Sequence, residues 1–135
     1  MPSVRYLLDT NIVSDLIRNP RGEVAQHIAR VGEQQICTSI VVASELRFGA
    51  RKSGSPKLQQ KLMQILNELE ILSLEPPADH HYASIRAHLE ARGTPIGPND
   101  MLTAAHARAN GMVLVTRNVA EFSRVPELAV ENWLE

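Results

Sequence analysis

The chain is short of cysteine, of net positive charge and of long apolar runs, and each shortage removes a class of function. Cys37 stands alone, so neither an internal disulfide nor a cysteine-based zinc site can form. A reducing compartment suits such a chain. The formal net charge of -1 argues against a broad basic face, so any contact with nucleic acid must be local. No apolar stretch approaches the ~18 residues that a membrane-spanning helix needs. Met1-Pro2-Ser3 runs directly into a strand-like segment, without the basic, apolar and small-residue regions of a secretory signal. These absences imply a cytoplasmic domain with no membrane partner. Internal repeats and low-complexity stretches are also missing, and 135 residues with 44% apolar side chains fit a single domain over 1–135 that buries its core without staples.

What is present is an alternation of short apolar runs with helical patterns. Val4 to Asp9 reads as a buried strand, followed by a short helix from Ile12 to Ile17 and a second from Glu23 to Val31, where Gly32 is a natural stop. Ile36-Cys37-Thr38 is a brief strand, and Ser39 caps a helix from Ile40 to Lys52. From Lys57 to Glu70 the spacing of Leu58, Leu62, Ile65, Leu66 and Leu69 places an apolar face on one long helix. Ile71 to Leu74 reads as a strand, Ala78 to Arg92 as a helix, and Gly97-Pro98-Asn99 launches another that ends at Asn110-Gly111. Met112 to Thr116 is the most strand-like run, and Leu128-Ala129-Val130 adds a short last strand. Strands alternating with helices imply an α/β fold with a mostly parallel sheet of four to five strands, covered on both faces.

Against this pattern three acids are out of place. Asp9 closes an apolar run, Glu45 lies among Val41, Val42 and Leu46, and Asp100 precedes Met101-Leu102. Burying a lone carboxylate costs several kcal/mol unless it is paired or bound to metal. Ligands of open parallel sheets bind outside the carboxyl ends of the strands. Asp9 falls at such an end, Glu45 lies on the helix that follows the second strand, and Asp100 sits in a first helical turn. Each acid alone admits a plainer reading, Asp9 and Asp100 as helix caps and Glu45 as a partner of Lys52 or a residue on a helix edge that reaches solvent. Together they favour Mg²⁺ or Mn²⁺, which would keep clustered carboxylates ionised. One ion or two would fit, and two ions about 3.5–4 Å apart clamp the oxygens of an in-line phosphoryl displacement, which is phosphodiester hydrolysis.

Four segments occur in a telling order: Leu7-Leu8-Asp9-Thr10-Asn11, Ser39-Ile40-Val41-Val42-Ala43-Ser44-Glu45-Leu46-Arg47-Phe48-Gly49, Gly97-Pro98-Asn99-Asp100, and Val113-Leu114-Val115-Thr116-Arg117-Asn118-Val119-Ala120-Glu121-Phe122. In these the chain resembles PIN-domain ribonucleases, specifically the VapC toxins of bacterial toxin–antitoxin pairs, and the likeness continues to Val130-Glu131-Asn132-Trp133. The resemblance implies a PIN-like three-layer α/β/α sandwich and an Mg²⁺-dependent endoribonuclease, with Mn²⁺ as a substitute, acting on RNA and often on transfer RNA in this group. It also implies inhibition by a VapB-type antitoxin, a homodimer and a higher toxin–antitoxin complex. By the same resemblance Asp9 and Asp100 would be direct Mg²⁺ ligands. Glu45 would orient water or complete the outer shell, and Thr10 and Asn11 would steady Asp9 and the ion's hydration. The departure is at the fourth acid: many PIN domains carry an aspartate where this chain has Asn118, and either Asn118 or Glu121, one turn on, would assist.

Local positive charge is available for RNA in Arg47, Arg51, Lys52 and Arg117, with Arg18 and Arg21 bordering the same rim. Tyr6 and Phe48 are expected in the core. Successive helical positions point about 100° apart, so His80 and His81 cannot share an ion, and His106 is expected to be packed and hydrogen-bonded. Ile12, Val13, Leu16 and Ile17 of the first helix, with the leucine-rich long helix, either offer apolar surface for a partner segment or are accounted for by core packing alone. The alternative function is a PIN-fold module that binds RNA or protein without cleaving, but all three acids are intact. A phosphoaspartyl phosphatase reading of Asp9 fails because the second aspartate it needs is Asn11.

Overall fold

Leu7, Cys37 and Leu114 turn to one side of a sheet while Leu8, Ile36 and Val115 turn to the other, as the two-residue period of extended chain requires. The computed structural model describes residues 4–134, so Met1-Pro2-Ser3, on which the signal-peptide expectation rested, lies outside the described residues. Its strands are β1 (Tyr6–Leu8), β2 (Ile36–Ser39), β3 (Glu70–Leu72), β4 (Val113–Val115) and β5 (Val130–Glu131). They form one five-stranded sheet in the order β3-β2-β1-β4-β5, and every neighbouring pair is parallel.

Helices cover both faces. On one side α5 (Ala78–Ala91) and α6 (Pro98–Ala109) pack Ile85, Leu89, Met101, Ala104, Ala105 and Ala107 against Leu7 and Leu114. On the other, α1 (Thr10–Arg18), α2 (Glu23–Val31) and α4 (Pro56–Glu68) bring Ile12, Val13, Val24, Leu62 and Leu66 onto Leu8 and Val115. Between them α3 (Ile40–Ser53) gives Val42 to the first core and Ala43 and Ala50 to the second. Trp133 closes the second core: its indole stacks on His27 with centroids 4.9 Å apart, meets Tyr6 at 5.1 Å, and donates to Glu131 Oε1 at 2.9 Å. The architecture is the expected three-layer α/β/α sandwich.

Several boundaries move for physical reasons. Asp9 is not strand but the N-cap of α1, because its side chain already accepts the Thr10 N–H. The long helix stops at Glu68, with Leu69 extended, so that Glu70–Leu72 can pair with Cys37 to Ser39. A short α7 (Val119–Phe122), not expected from the sequence, buries Phe122 in the core with Leu7 and Leu114. Ile12 and Val13 do not form a free surface: both are fully buried, and only Leu16 and Ile17 remain half-exposed.

The connectivity locates the site. From β1 the chain crosses to β2 and then β3 on one side, and later returns to β4 on the other side of β1. The strand order therefore reverses at β1, and in open parallel sheets ligands bind outside the carboxyl ends of the strands at such a reversal, here those of β1 and β4.

Candidate active site

Asp9 is the first residue beyond β1, at that reversal. Its N–H donates to Val115 O at 2.9 Å, and its carbonyl accepts from the Ile12 and Val13 N–H groups at 3.1 Å each, which opens α1. The side chain is fixed at both oxygens: Oδ1 accepts the Thr10 N–H and Oδ2 accepts the Thr116 hydroxyl, each at 2.8 Å. Asp9 thus caps a helix, as the plainer reading held, yet it is only 2% exposed and acquires no cation as partner among the described residues. Burial pushes its carboxyl above the ordinary range, while the bonds from Thr116 and Thr10 pull it part of the way back.

Thr116 is a hub that the sequence reading missed, having taken it only as the end of a strand. Besides bonding Asp9, its oxygen accepts the Asn118 N–H at 3.1 Å and the Asn11 amide at 3.4 Å, and Asn11 Oδ1 accepts the Arg117 N–H at 3.0 Å. The start of α1 and the loop after β4 are therefore stitched together around one carboxylate. Leu8 pairs with Val115, so the residue after each strand faces the other, a register that no local pattern in the sequence displays.

Glu45 lies on α3, whose N-cap Ser39 accepts the Val41 N–H at 3.1 Å. Burial raises its carboxyl first of all, a bond from Asn99 at 3.4 Å opposes this, and repulsion from Asp9 adds to it. Asp100 occupies the first turn of α6 behind Gly97 and Pro98. Its carboxyl is pushed up to about 6, by burial and then by the negative charges of Asp9, Glu45 and Glu121. The four acids hence share one electrostatic environment, with Glu121 reaching it from α7. Asn118 is exposed, and its contribution is a backbone N–H to Thr116.

Buried Ser39 also receives His106, whose Nδ1 lies 2.7 Å from its hydroxyl, so the base of the Glu45 helix is tied to the Asp100 helix. His106 is thus packed and hydrogen-bonded, as expected, and burial lowers its pKa. Among the described residues the ion pairs are Arg5–Glu70 and Arg86–Glu90, neither of which neutralises a site acid. Lys52 does not partner Glu45; Asn99 does. Also among the described residues, no three His, Cys, Asp or Glu side chains close around an ion by themselves. The acids feel one another's charge without closing a cage around an ion.

Two grooves flank Glu45. One, of about 330 Å³, runs between α1, α3 and α4 past Thr10, Ser14 and Gly49; the other, of about 600 Å³, is bounded by Val41, Ser44, Phe48, Asn99 and Leu102. Phe48 is 67% exposed, contrary to the expectation of a core position, because at three residues from Glu45 it follows the helix face that the sheet does not cover. Tyr6 is packed as expected, against Trp133. Arg47, Arg51, Lys52 and Arg117 are exposed, and none of them lines either groove.

Residues 6–128 match the PIN domain family. The chain is 34% identical over 131 residues to the tRNA(fMet)-specific endonuclease VapC of Salmonella typhimurium, covering 96% of this chain and 98% of that one. It is 37% identical over 132 residues to Ribonuclease VapC2 of Haemophilus influenzae, covering 97% and 99%. Among solved structures, VapBC2 from Rickettsia felis bound to a DNA fragment from its promoter superposes with a TM-score of 0.90 at 35% identity, covering 96% of this chain and 99% of that one. DNA-bound VapBC from Salmonella typhimurium gives 0.85 at 33%, covering 96% and 98%.

Proposed function

Since the chain belongs to the PIN-domain family and, within it, to the VapC ribonucleases, we propose that it is an Mg²⁺-dependent endoribonuclease acting as the toxin of a toxin–antitoxin pair. It cuts RNA phosphodiester bonds in the cytoplasm, with transfer RNA as the favoured class because the Salmonella relative is named for one. A VapB-type antitoxin holds it inactive, as the solved VapBC assemblies of its relatives suggest. The observation that supports the nuclease reading most is the gathering of Asp9, Glu45, Asp100 and Glu121 at the strand-order reversal with no Lys or Arg among the described residues to neutralise them.

The donor set fits a hard divalent cation: it is oxygen only, partly buried and mutually repelling. Asp9 and Asp100 would hold Mg²⁺, with Mn²⁺ as a substitute, and Thr10 and Asn11 support that shell. When bound, the ion supplies positive charge that polarises the phosphoryl oxygens and acidifies water. The side chains do the rest. The Thr116 and Thr10 bonds keep the Asp9 carboxylate in one orientation. Glu45, half-exposed and with a raised pKa, takes the proton of the attacking water. Glu121 completes the negative rim in place of the acid that Asn118 lacks, and its repulsion of Asp100 supports that role over one for the Asn118 side chain. Arg47, Arg51, Lys52 and Arg117 meet RNA phosphates beyond the grooves. Exposed Phe48 and Ile40 on α3 support self-association into a homodimer within a larger toxin–antitoxin complex.

The test is Asp100→Asn. RNA cleavage should vanish while the circular dichroism spectrum and cooperative unfolding persist; undiminished cleavage would remove Asp100 from the mechanism.

A further inference from the structure

His106 lies on α6 and is 1% exposed, among buried neighbours that are mostly apolar and small: Met101, Thr103, Ala104, Ala105 and Ala107. A buried imidazole costs stability unless its ring nitrogens find partners, so an aliphatic side chain would suit this core position better. Its partner is Ser39, the fully buried N-cap of α3, whose hydroxyl lies 2.7 Å from Nδ1. The Ser39 oxygen already accepts the Val41 N–H at 3.1 Å, which leaves its own proton free for Nδ1. Burial lowers the pKa of His106 and so favours the neutral ring that accepts this proton.

Among the described residues, two hydrogen bonds join the helix that carries Glu45 to the helix that carries Asp100. One is Ser39 to His106; the other is the Asn99 amide donating to Glu45 Oε2 at 3.4 Å. Asn99 and His106 are seven residues apart on α6, so they share a face and stand roughly 10 Å apart along the axis. α3 is therefore held to α6 at its first turn and again at Glu45. The buried apolar groups that the two helices give to their common core are mostly short, Val42 from α3 and Met101, Ala104, Ala105 and Ala107 from α6. Apolar contact has no preferred direction, whereas a hydrogen bond fixes both distance and angle. Of the two bonds, Asn99 to Glu45 is long and exposed, and Ser39 to His106 is short and buried. The buried one is left to set how far α3 slides along α6.

We infer that His106 is a positioning residue for cleavage, which through Ser39 fixes where α3 holds Glu45 relative to Asp100 on α6. The inference rests on the nuclease reading above. His106 acts through the two helices and not on the RNA. His106→Leu keeps a side chain of similar volume, with good helix propensity, and deletes Nδ1. A misplacement of about 1 Å can lower a rate 10²-fold, so kcat should fall roughly 10–100-fold while KM for RNA changes by less than about threefold. His106→Asn, whose amide reaches the position of Nδ1, should recover most of kcat.

Two further readouts separate positioning from a general loss of stability. In Glu45→Gln the group being positioned is gone, so adding His106→Leu should change kcat by less than about twofold. In crystals of His106→Leu, Glu45 should stand on the order of 1 Å from the place it holds relative to Asp100 in crystals of the unaltered protein. If the unaltered protein cleaves RNA but folded His106→Leu keeps its kcat, loses it equally with and without Glu45, or leaves Glu45 in place, the positioning role is refuted while the nuclease reading survives. If His106→Leu does not fold, Ser39→Ala carries the same tests, because it deletes the hydroxyl and leaves the imidazole. Failure of both to fold would make the pair a requirement of the fold and overturn the inference. If the unaltered protein cleaves no RNA, the nuclease reading falls and this one with it.

Discussion

Replacing Thr116 with valine keeps the volume and branching of the side chain and deletes one hydroxyl. That hydroxyl donates to Asp9 Oδ2 at 2.8 Å in a setting where Asp9 is 2% exposed, so water cannot fully replace it. A hydrogen bond to a buried charged group contributes about 1.5–3 kcal/mol. Taking ~2 kcal/mol, Tm should fall by on the order of 5–10 °C for a domain of this size. The sign of the pH dependence follows from which form the bond favours. The Thr116 hydroxyl stabilises the ionised carboxylate, so the difference between Thr116→Val and the unaltered chain should be largest at neutral pH. It should shrink as pH falls through the raised pKa of Asp9 and the carboxyl takes up a proton. Without the donor, Asp9 holds its proton to higher pH. The rising limb of the cleavage profile should then move to higher pH, and the Mg²⁺ concentration for half-maximal rate should climb by roughly 10–100-fold, as for other groups that orient a metal ligand. Thr116→Ser retains the hydroxyl and should restore most of both. The assays are chemical denaturation from pH 4 to 8 and RNA cleavage against pH and Mg²⁺. Wild-type Mg²⁺ dependence in Thr116→Val would refute the positioning role.

Two further outcomes follow from the same geometry. The Asp100 carboxyl is raised from 3.8 to about 6, so its contribution to metal-free stability is full below the unfolded value and is lost as pH rises through about 6. Metal-free protein should therefore lose Tm between about pH 4 and 6, and Asp100→Asn should remove that part of the slope; an identical slope in the variant would contradict the shift. Thr103 is 1% exposed and its hydroxyl has no partner among the described residues, so Thr103→Val should stabilise by about 1 kcal/mol in urea unfolding. A loss of stability would mean that the hydroxyl has a partner.

The fold class was legible because the apolar runs at β1, β2 and β4 are bounded by caps and glycines, and because alternation of strand and helix admits few topologies. What depends on the covering of a helix face was not. Phe48 has the composition of a core residue, and only the position of α3 at the edge of both cores leaves it in solvent, while Ile12 and Val13 meet the reverse fate under α1. The three acids could be named because carboxylates beside apolar runs need an explanation that is visible in one dimension. The groups that orient them could not: Thr116 reaches Asp9 across 107 residues and His106 reaches Ser39 across 67, contacts set by strand register and helix packing rather than by local pattern. The α7 turn escaped because four residues are too few to show a helical period.

Direct titration of Mg²⁺ into metal-free protein, followed by calorimetry, tests the claim that Asp9 and Asp100 form a cation site more directly than any activity assay. Binding by the unaltered chain, with no measurable binding by Asp9→Asn or Asp100→Asn in protein shown to be folded, is the result the site geometry predicts. Equal binding by the variants and the unaltered chain would contradict it.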